Sequence, residues 1–418
     1  MNTTIMQWTP DDPLFWEKTG KKIAYTNLII STGCLALSFI VWVFWSILAI
    51  KINSYGFYFS KAELFSLIGI PGLIGASLRI LYSFVIPIFG GRNWTVFSTA
   101  TLLIPTIGLL VCLQNPHTSY TTFVILAIFC GFGGGNFSSS MANISLFFPK
   151  RLQGSALGIN GGIGNLGVSI FQLFAPLALG LPVYGNVVNG IYLSSAIAIW
   201  LPFILIFTFL AGWKMVNLPT NIKPLQQLMV FKRVDMYLVT IIYFCAFGTF
   251  IGCSVAFPLI TKLQFKDVEV IKYAFIGPLI GSLMRVIGGI LADRFGGKKI
   301  SILAFVMMGI ATLGIIYFTR VSQHSFVPYL LMFLLLFAFS GVANGSIFQL
   351  IGVVFLGGEK APALGLSAAI AAYASYLLPK LFGWSLASFN SSVSAFFILI
   401  VCYILSVIIL ISCYRKIA

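Results

Sequence analysis

Charged residues are scarce in this sequence, and acidic side chains and histidines are the scarcest of them. Asp, Glu, Lys and Arg make up 8% of the chain, with nine acidic residues and two histidines. A soluble globular protein has about 25% charged residues, so this composition excludes that class. A membrane-embedded enzyme would need acids, histidines or metal ligands clustered at one face, and the sequence contains no such cluster.

Cysteine motifs and nucleotide-binding motifs are also lacking. The seven cysteines occur in or at the ends of apolar runs, and no two have CxxC spacing. We interpret them as small apolar packing residues rather than metal ligands or disulfide partners. The stretch GIGNLG from Gly162 fits the GxGxxG pattern, but no strand precedes it. The sequence therefore predicts neither a metal nor a cofactor.

The net charge of +16 does not indicate a nucleic-acid partner. Lys and Arg residues are scattered singly between apolar runs and form no patch or arm. They concentrate in alternate loops, which predicts a multi-pass membrane protein with both termini in the cytoplasm. The polar N-terminal segment has no apolar core or small-residue cleavage site, so we interpret residues 1–26 as a cytoplasmic arm rather than a signal peptide.

Hydrophobic residues make up 59% of the chain and form long runs that recur along its whole length. Each run is long enough to cross a bilayer as a helix, which takes about 20 residues. To within a few residues, the predicted spans are 27–50, 63–89, 94–113, 120–148, 153–181, 189–215, 235–262, 271–292, 299–319, 326–356, 361–386 and 390–413. The sequence therefore predicts an all-α integral membrane protein with twelve transmembrane helices.

Two matched segments show that the chain repeats itself. Arg79 in SLRILYSFVIPIFGGR corresponds to Arg285 in SLMRVIGGILADRFGGK at an offset of 206 residues, and each precedes a Phe-Gly-Gly-basic turn. A second match, of SALGINGGIGNLG with PALGLSAAIAAYA, has an offset of 207. We predict two related six-helix halves, 27–216 and 235–418, joined by a cytoplasmic linker, 217–234. Two such halves around a midplane site are the architecture of secondary transporters.

Arg79 and Arg285 lie inside apolar runs, where a charged side chain is costly unless it meets a partner. All nine acidic residues fall in the N-terminal arm, in loops or at the ends of predicted spans, so none is available at membrane depth. Two buried arginines at equivalent places therefore predict a partner that arrives from solution. Because a guanidinium donates two parallel hydrogen bonds, the predicted site is one for a planar or tetrahedral oxyanion.

The fourth and fifth predicted helices are rich in regularly spaced glycine. A small residue recurs at every fourth position, which lets neighbouring helices approach closely and slide. We predict helix-packing and gating roles for Gly131, Gly135, Gly158, Gly161, Gly162 and Gly164. Asp293, in the loop GGILADRFGGKK, is placed to meet the positive N-terminal end of a neighbouring helix, and we predict that it acts as a gate latch.

That loop resembles the motif between the eighth and ninth helices of the major facilitator superfamily. The signature from Gly131 to Gly167, the arm WTPDDPLFW and the segment PIFGGRNWTVFSTA resemble the nitrate/nitrite porters within this superfamily. The resemblance covers nearly the whole chain. One departure is the stretch SAAIAAYASYLLPK from Ser367, which has alanines where the family tends to keep glycines.

The resemblance implies six anion-binding residues: Arg79, Arg285, Phe137, Phe247, Asn165 and Tyr243. The two arginines would clamp nitrate or nitrite from opposite halves. The two phenylalanines would stack on the faces of the anion, while the asparagine and tyrosine would hydrogen-bond to it. From spacing alone, core packing is the favoured interpretation of both phenylalanines, and the resemblance reverses that preference.

The expected mechanism follows from the lack of protonatable groups at membrane depth. His117 and His324 fall in predicted outer loops, and Lys380 is the only group inside a span that could titrate. We therefore expect exchange by rocking of the two halves. The resemblance implies that the exchanged anions are nitrate and nitrite, and that the protein is a monomer of a bacterial cytoplasmic membrane that serves nitrate assimilation or anaerobic nitrate respiration. Two alternatives stay open: proton-coupled nitrate uptake, and exchange of another anion such as formate or an organophosphate.

Overall fold

The structure, a computed structural model, describes residues 7–218, 230–320, 326–355 and 359–414. Nearly all of these residues are helical, and twelve helical runs among them are long and apolar enough to cross a membrane. We number the runs α1 to α12. Their bounds are Pro13–Tyr55, Lys61–Tyr82, Gly91–Cys112, Tyr120–Phe147, Ala156–Leu179, Ser195–Lys214, Val234–Gln264, Val270–Phe295, Gly297–Arg320, Phe326–Val354, Pro362–Phe389 and Val393–Ser412. The predicted all-α architecture with twelve such helices is confirmed.

Some interpretations made from the sequence concern residues outside the described ranges. Most of the predicted linker 217–234 lies there, because residues 219–229 are not described. The first six residues of the predicted arm 1–26 and His324 also lie outside the described part of the chain.

The first helical run begins at Pro13, inside the predicted arm, rather than near residue 27. Proline suits the first position of a helix, and the Asp12 carboxylate caps this end by accepting from the Leu14 N–H at 2.9 Å. Trp16 is 1% exposed and packs with the end of α4. The hydropathy criterion missed this start because polar residues are interspersed in the first turns.

Several runs contain breaks between consecutive helical pieces. The main pieces of α1 are Lys21–Trp42 and Trp45–Lys51, those of α3 are Gly91–Ala100 and Leu103–Cys112, and those of α11 are Lys360–Ala371 and Ala374–Phe389. The helix that contains α5 extends further back, over Lys150–Leu179. Gly90 before α3 and Gly296 before α9 have φ of +80° and +92°. These angles strongly favour glycine, which explains the repeated Phe-Gly-Gly turns.

Contacts divide the chain into two compact units. The first contains Met1–Phe57 and Ile74–Pro224, and the second contains Tyr58–Leu73 and Leu225–Ala418. The predicted halves assign the whole of α2 to the first half, whereas by contacts its residues up to Leu73 pack in the second unit. One continuous helix therefore contributes its beginning to one unit and its end, with Arg79, to the other.

Within the first unit, α1 lies at the centre and packs on α4, α5 and α6. Phe39, Val41 and Phe44 of this helix are fully buried. A helix enclosed on all sides shows little amphipathic periodicity, because no face is left for solvent or lipid. Hydroxyl contacts join it to its neighbours, as between Ser31 Oγ and Ser140 Oγ of α4 at 2.9 Å.

Within the second unit, α7 takes the central place and packs on α10, α11 and α12. Its residues Tyr243, Ile251 and Ile260 are buried at 2% exposure or less. The helices α8 and α10 also pack closely on each other. By the 206-residue offset this pair corresponds to α2 and α4 of the first half, and each pair includes one of the two arginines.

Candidate anion-binding site

Arg79 lies near the end of α2 and is 1% exposed. Its Nε donates a hydrogen bond to the Gly134 carbonyl oxygen of α4 at 2.9 Å. The guanidinium carbon is 4.9 Å from the Phe137 ring centroid and 5.4 Å from that of Trp42. Cation–π attraction acts within about 6 Å, so two aromatic rings and one carbonyl stabilise this buried charge.

Two glycines allow α2 and α4 to approach closely at this point. A methyl group at Gly134 would lie 2.7 Å from Trp42 Cε2 and 3.0 Å from the Gly75 Cα. Gly75 lies four residues before Arg79, on the same face of α2. The contact between glycine backbones therefore brings the arginine within reach of the α4 carbonyl.

Arg285 occupies the corresponding position in the second unit, on α8, and is half-buried. One of its terminal nitrogens donates to the Tyr243 hydroxyl at 3.4 Å, and its guanidinium carbon is 4.7 Å from the Phe348 ring centroid. Glycine again sets the helix separation: a methyl group at Gly345 of α10 would lie 2.5 Å from the Gly289 nitrogen. Each arginine thus lies against an aromatic ring of the neighbouring helix, which packs on the helix that carries the arginine.

Three aromatic rings pack next to one another beside Arg285. Tyr243 and Phe247, one helical turn apart on α7, have ring centroids 5.6 Å apart and planes inclined by 12°. Phe348 also packs on Tyr243, with a centroid separation of 4.9 Å and an angle of 32° between the ring planes. The predicted stacking residue Phe247 therefore packs on Tyr243, while the ring against the guanidinium belongs to Phe348.

The other two predicted anion-binding residues lie in the first unit. Phe137 is 9% exposed and packs edge-on against Phe39, with ring centroids 6.2 Å apart, in addition to its contact with Arg79. Asn165 on α5 is 3% exposed, and its amide oxygen has no hydrogen-bond partner among the described residues. A buried polar atom without a partner is costly, so this oxygen is a place where a water or another hydrogen-bond donor would bind.

Acidic residues lie away from the centres of the helices. The ion pairs of the described residues are Lys21–Glu17, Lys272–Glu269, Arg233–Asp235 and Arg233–Glu359. Arg285 takes part in none of these pairs. Asp293, near the end of α8, is exposed and forms no hydrogen bond or ion pair with another described residue, so its role as a gate latch stays a prediction.

The predicted packing glycines fall into two groups. A methyl group would lie 2.8 Å from its nearest neighbour at Gly135, 2.6 Å at Gly164 and 3.5 Å at Gly161, with nothing within 4 Å at Gly158 or Gly162. Gly131 takes part through its carbonyl oxygen, which would lie 3.1 Å from a methyl group at Gly75. Regular spacing along one helix therefore does not separate glycines in close contacts from glycines beside open space.

Sequence reasoning did not identify Trp42 or Phe348, although each ring lies against one of the arginines. Neither residue belongs to a repeated motif, and aromatic residues are common throughout the chain. A usable signal for Phe348 was its position three residues after Gly345, because a ring on the same face as a close-contact glycine can reach the neighbouring helix.

Comparison with known proteins decides the family. A model of the Major Facilitator Superfamily matches residues 28–366. The nitrate/nitrite transporter NarU of Escherichia coli (strain K12) is 41% identical over 97% of this chain and 95% of its own length. The probable nitrate/nitrite antiporter NarK2 of Thermus thermophilus is 36% identical over 96% of this chain and 94% of its own length. The chain belongs to the nitrate/nitrite porter family.

Solved structures agree with this family at the level of the fold. The crystal structure of a D-xylose-proton symporter has a TM-score of 0.71 with 18% identity, and covers 93% of this chain and 98% of its own. The predicted major facilitator fold is confirmed. As a member of the nitrate/nitrite porter family, the protein is a transporter rather than an enzyme, and a multi-pass bacterial membrane protein.

Proposed function

We propose that the protein exchanges nitrate for nitrite across the bacterial cytoplasmic membrane, around a site to which both arginines contribute. The proposal is carried by one observation: each unit holds a buried or half-buried arginine against an aromatic face, at equivalent positions of a repeated sequence. The names of NarU and of NarK2 support the choice of anions. Nitrate and nitrite are planar and weakly hydrated, so they suit guanidinium forks and aromatic faces.

The proposed roles follow the chemistry of each side chain. Arg79 and Arg285 would each donate hydrogen bonds to the anion, and Tyr243, already bonded to Arg285, would hold that guanidinium and donate its hydroxyl proton. The Asn165 amide would donate a further hydrogen bond to the anion from its Nδ2, since an amide nitrogen donates whereas the amide oxygen only accepts. Phe137 and Phe247 would line the anion faces, while Trp42 and Phe348 would hold the guanidinium groups in place.

Exchange rather than proton coupling is proposed because carboxylates and imidazoles are lacking at membrane depth in the described part of the chain. Among the described residues, every Asp, Glu and His lies between the spans or within two turns of a span end. An empty site would keep its positive charges uncompensated in a low-dielectric setting, and one bound monovalent anion offsets part of that cost. The loaded protein would therefore change conformation more readily than the empty one, which is the requirement for exchange.

The proposed unit is a monomer with both termini in the cytoplasm.

The test of the proposed exchange is uptake of labelled nitrate into liposomes that contain the purified protein and are preloaded with nitrite, nitrate, chloride or buffer alone. We expect rapid uptake with nitrite or nitrate inside, slow uptake otherwise, and little effect of an imposed pH gradient. Accumulation of nitrate driven by a pH gradient in empty liposomes would contradict exchange and favour proton-coupled uptake. Equal uptake with chloride inside would contradict the proposed selectivity.

A further inference from the structure

The beginning of α2 and the last part of α11 run side by side within the second unit. Close contacts recur along this seam: a methyl group at Gly69 would lie 3.2 Å from Tyr376, and one at Gly383 would lie 3.1 Å from the Phe65 Cβ. The two helices are antiparallel here, because residue numbers rise along one as they fall along the other. The seam ends where Lys61 Nζ donates to the Asn390 side chain at 3.5 Å.

Lys380 lies in the middle of this seam. Its Nζ donates a hydrogen bond to Ser66 Oγ at 2.7 Å. Ser66 is five residues, or about 7 Å along the axis, inside the Lys61 end of α2, and Lys380 is nine residues, or about 13 Å, inside the Phe389 end of α11. The side chain reaches towards the helix ends, but its ammonium group stops at Ser66, below the level of Lys61.

The charge of Lys380 is not neutralised by another described residue. None of the ion pairs includes it, and its one partner is a neutral hydroxyl. An ammonium group has three donors, so two remain for another acceptor. The side chain is exposed, and a charge at this depth is costly unless it meets water or an anion. Lys380 therefore has an exposed side chain, a positive charge and two N–H groups that can donate to a further acceptor.

We propose that Lys380 is an anion-capture residue, which binds nitrate or nitrite transiently at the entrance where α11 ends, before the anion reaches the arginines. The inference rests on the proposed function, because it assumes that these anions pass along the seam. A lysine suits this step better than an arginine, since its compact and strongly hydrated charge forms no bidentate fork and releases an anion readily. In the proposed orientation this entrance is the outer one.

Distance explains why a separate capture residue is useful. Arg79 is thirteen residues beyond Ser66 on the same helix, or about 20 Å along its axis. Two unit charges about 20 Å apart interact by only about 0.2 kcal/mol in water, so that arginine attracts an anion weakly at the level of Ser66. A positive charge near the entrance raises the local anion concentration where the deeper charges do not reach.

The test compares Lys380→Met with the charge-keeping Lys380→Arg and with Lys61→Met, which removes an equal charge at the end of the same seam. Nitrate uptake in exchange for nitrite is measured in right-side-out and inside-out membrane vesicles, at low and high salt. We expect Lys380→Met to raise KM for nitrate at the outer face by about threefold to tenfold, with less salt dependence. The inner KM and the maximal rate should stay unchanged. Lys61→Met should resemble the wild type. Lys380→Arg should keep the low outer KM but lower the maximal rate, because the guanidinium fork releases the anion more slowly.

Several results would overturn the proposal. An unchanged outer KM in Lys380→Met would do so, as would an equal rise in Lys61→Met or an equal rise at both faces. Ser66→Ala keeps the charge of Lys380 but removes its hydrogen bond. The same rise in the outer KM in that variant would show that the contact between the two helices, and not the charge, is what matters. If the Lys380→Met variant does not insert into the membrane, the same measurement is made with Lys380→Gln. Loss of the dependence on nitrite inside would instead refute the exchange mechanism and leave the KM comparison valid.

Discussion

Replacing Gly345 by alanine would place a methyl group between α10 and α8 beside Arg285. That methyl would lie 2.5 Å from the Gly289 nitrogen and 3.0 Å from the Gly288 carbonyl carbon, and closer still to the carbonyl oxygen of Arg285. All three neighbours are backbone atoms, so no side-chain rotation can relieve the overlap. The first separation is about 1 Å short of van der Waals contact, and the two helices would have to move apart.

The expected cost can be isolated with a matched variant. Gly289→Ala is the same substitution in the same helix pair, but its methyl group would have nothing within 4 Å. Both changes gain up to about 1 kcal/mol of helix propensity, whereas only Gly345→Ala adds an overpacking cost of about 1–3 kcal/mol. The difference between the two variants therefore reports the overlap alone. Separation of α8 from α10 would also move Phe348 away from the Arg285 guanidinium.

Thermal unfolding of the purified variants and nitrate–nitrite exchange in liposomes measure the two effects. Gly345→Ala should lower the unfolding temperature and the exchange rate, while Gly289→Ala should keep both at or above the wild-type level. Wild-type stability and transport in Gly345→Ala would refute the geometric reasoning. Equal losses in both variants would show that glycine is needed there for a reason other than close packing.

Two further predictions concern the side chains of the site. Arg79→Lys and Arg285→Lys keep the charge but lose the guanidinium fork, so each should lose most exchange activity while the protein still inserts; wild-type rates in either variant would contradict bidentate binding. Phe348→Ala removes the ring against Arg285 and should raise KM for nitrate more than Phe247→Ala, whose ring packs on Tyr243; the reverse order would show that the ring on the tyrosine, and not the one on the arginine, governs affinity.

The two arginines could be identified from the sequence because burial and repetition are both visible in it. Arg79 and Arg285 interrupt apolar runs at equivalent positions, and counting the acids showed that no carboxylate is available at that depth. The aromatic partners of the two arginines were harder to predict from the sequence. Phe137 lies in a family signature, whereas Trp42 and Phe348 lie in helices whose facing residues follow only from how those helices pack.

The amino-acid sequence by itself determined the class of the protein, the number of its spans and its two-fold repetition. Each of these depends on properties that can be seen along the chain itself, namely hydropathy over about 20 residues and similarity between segments at a nearly constant offset. Glycine spacing also predicted close helix packing, since small residues permit it.

Only the tertiary structure decided which residues meet across helices. It placed Phe348 against Arg285, left Gly158 and Gly162 beside open space, and paired Lys380 with Ser66. Such contacts depend on the rotation of each helix about its axis and on its axial shift against a neighbour. Both are set by packing with several other helices at once, and the periodicity of one helix contains neither quantity.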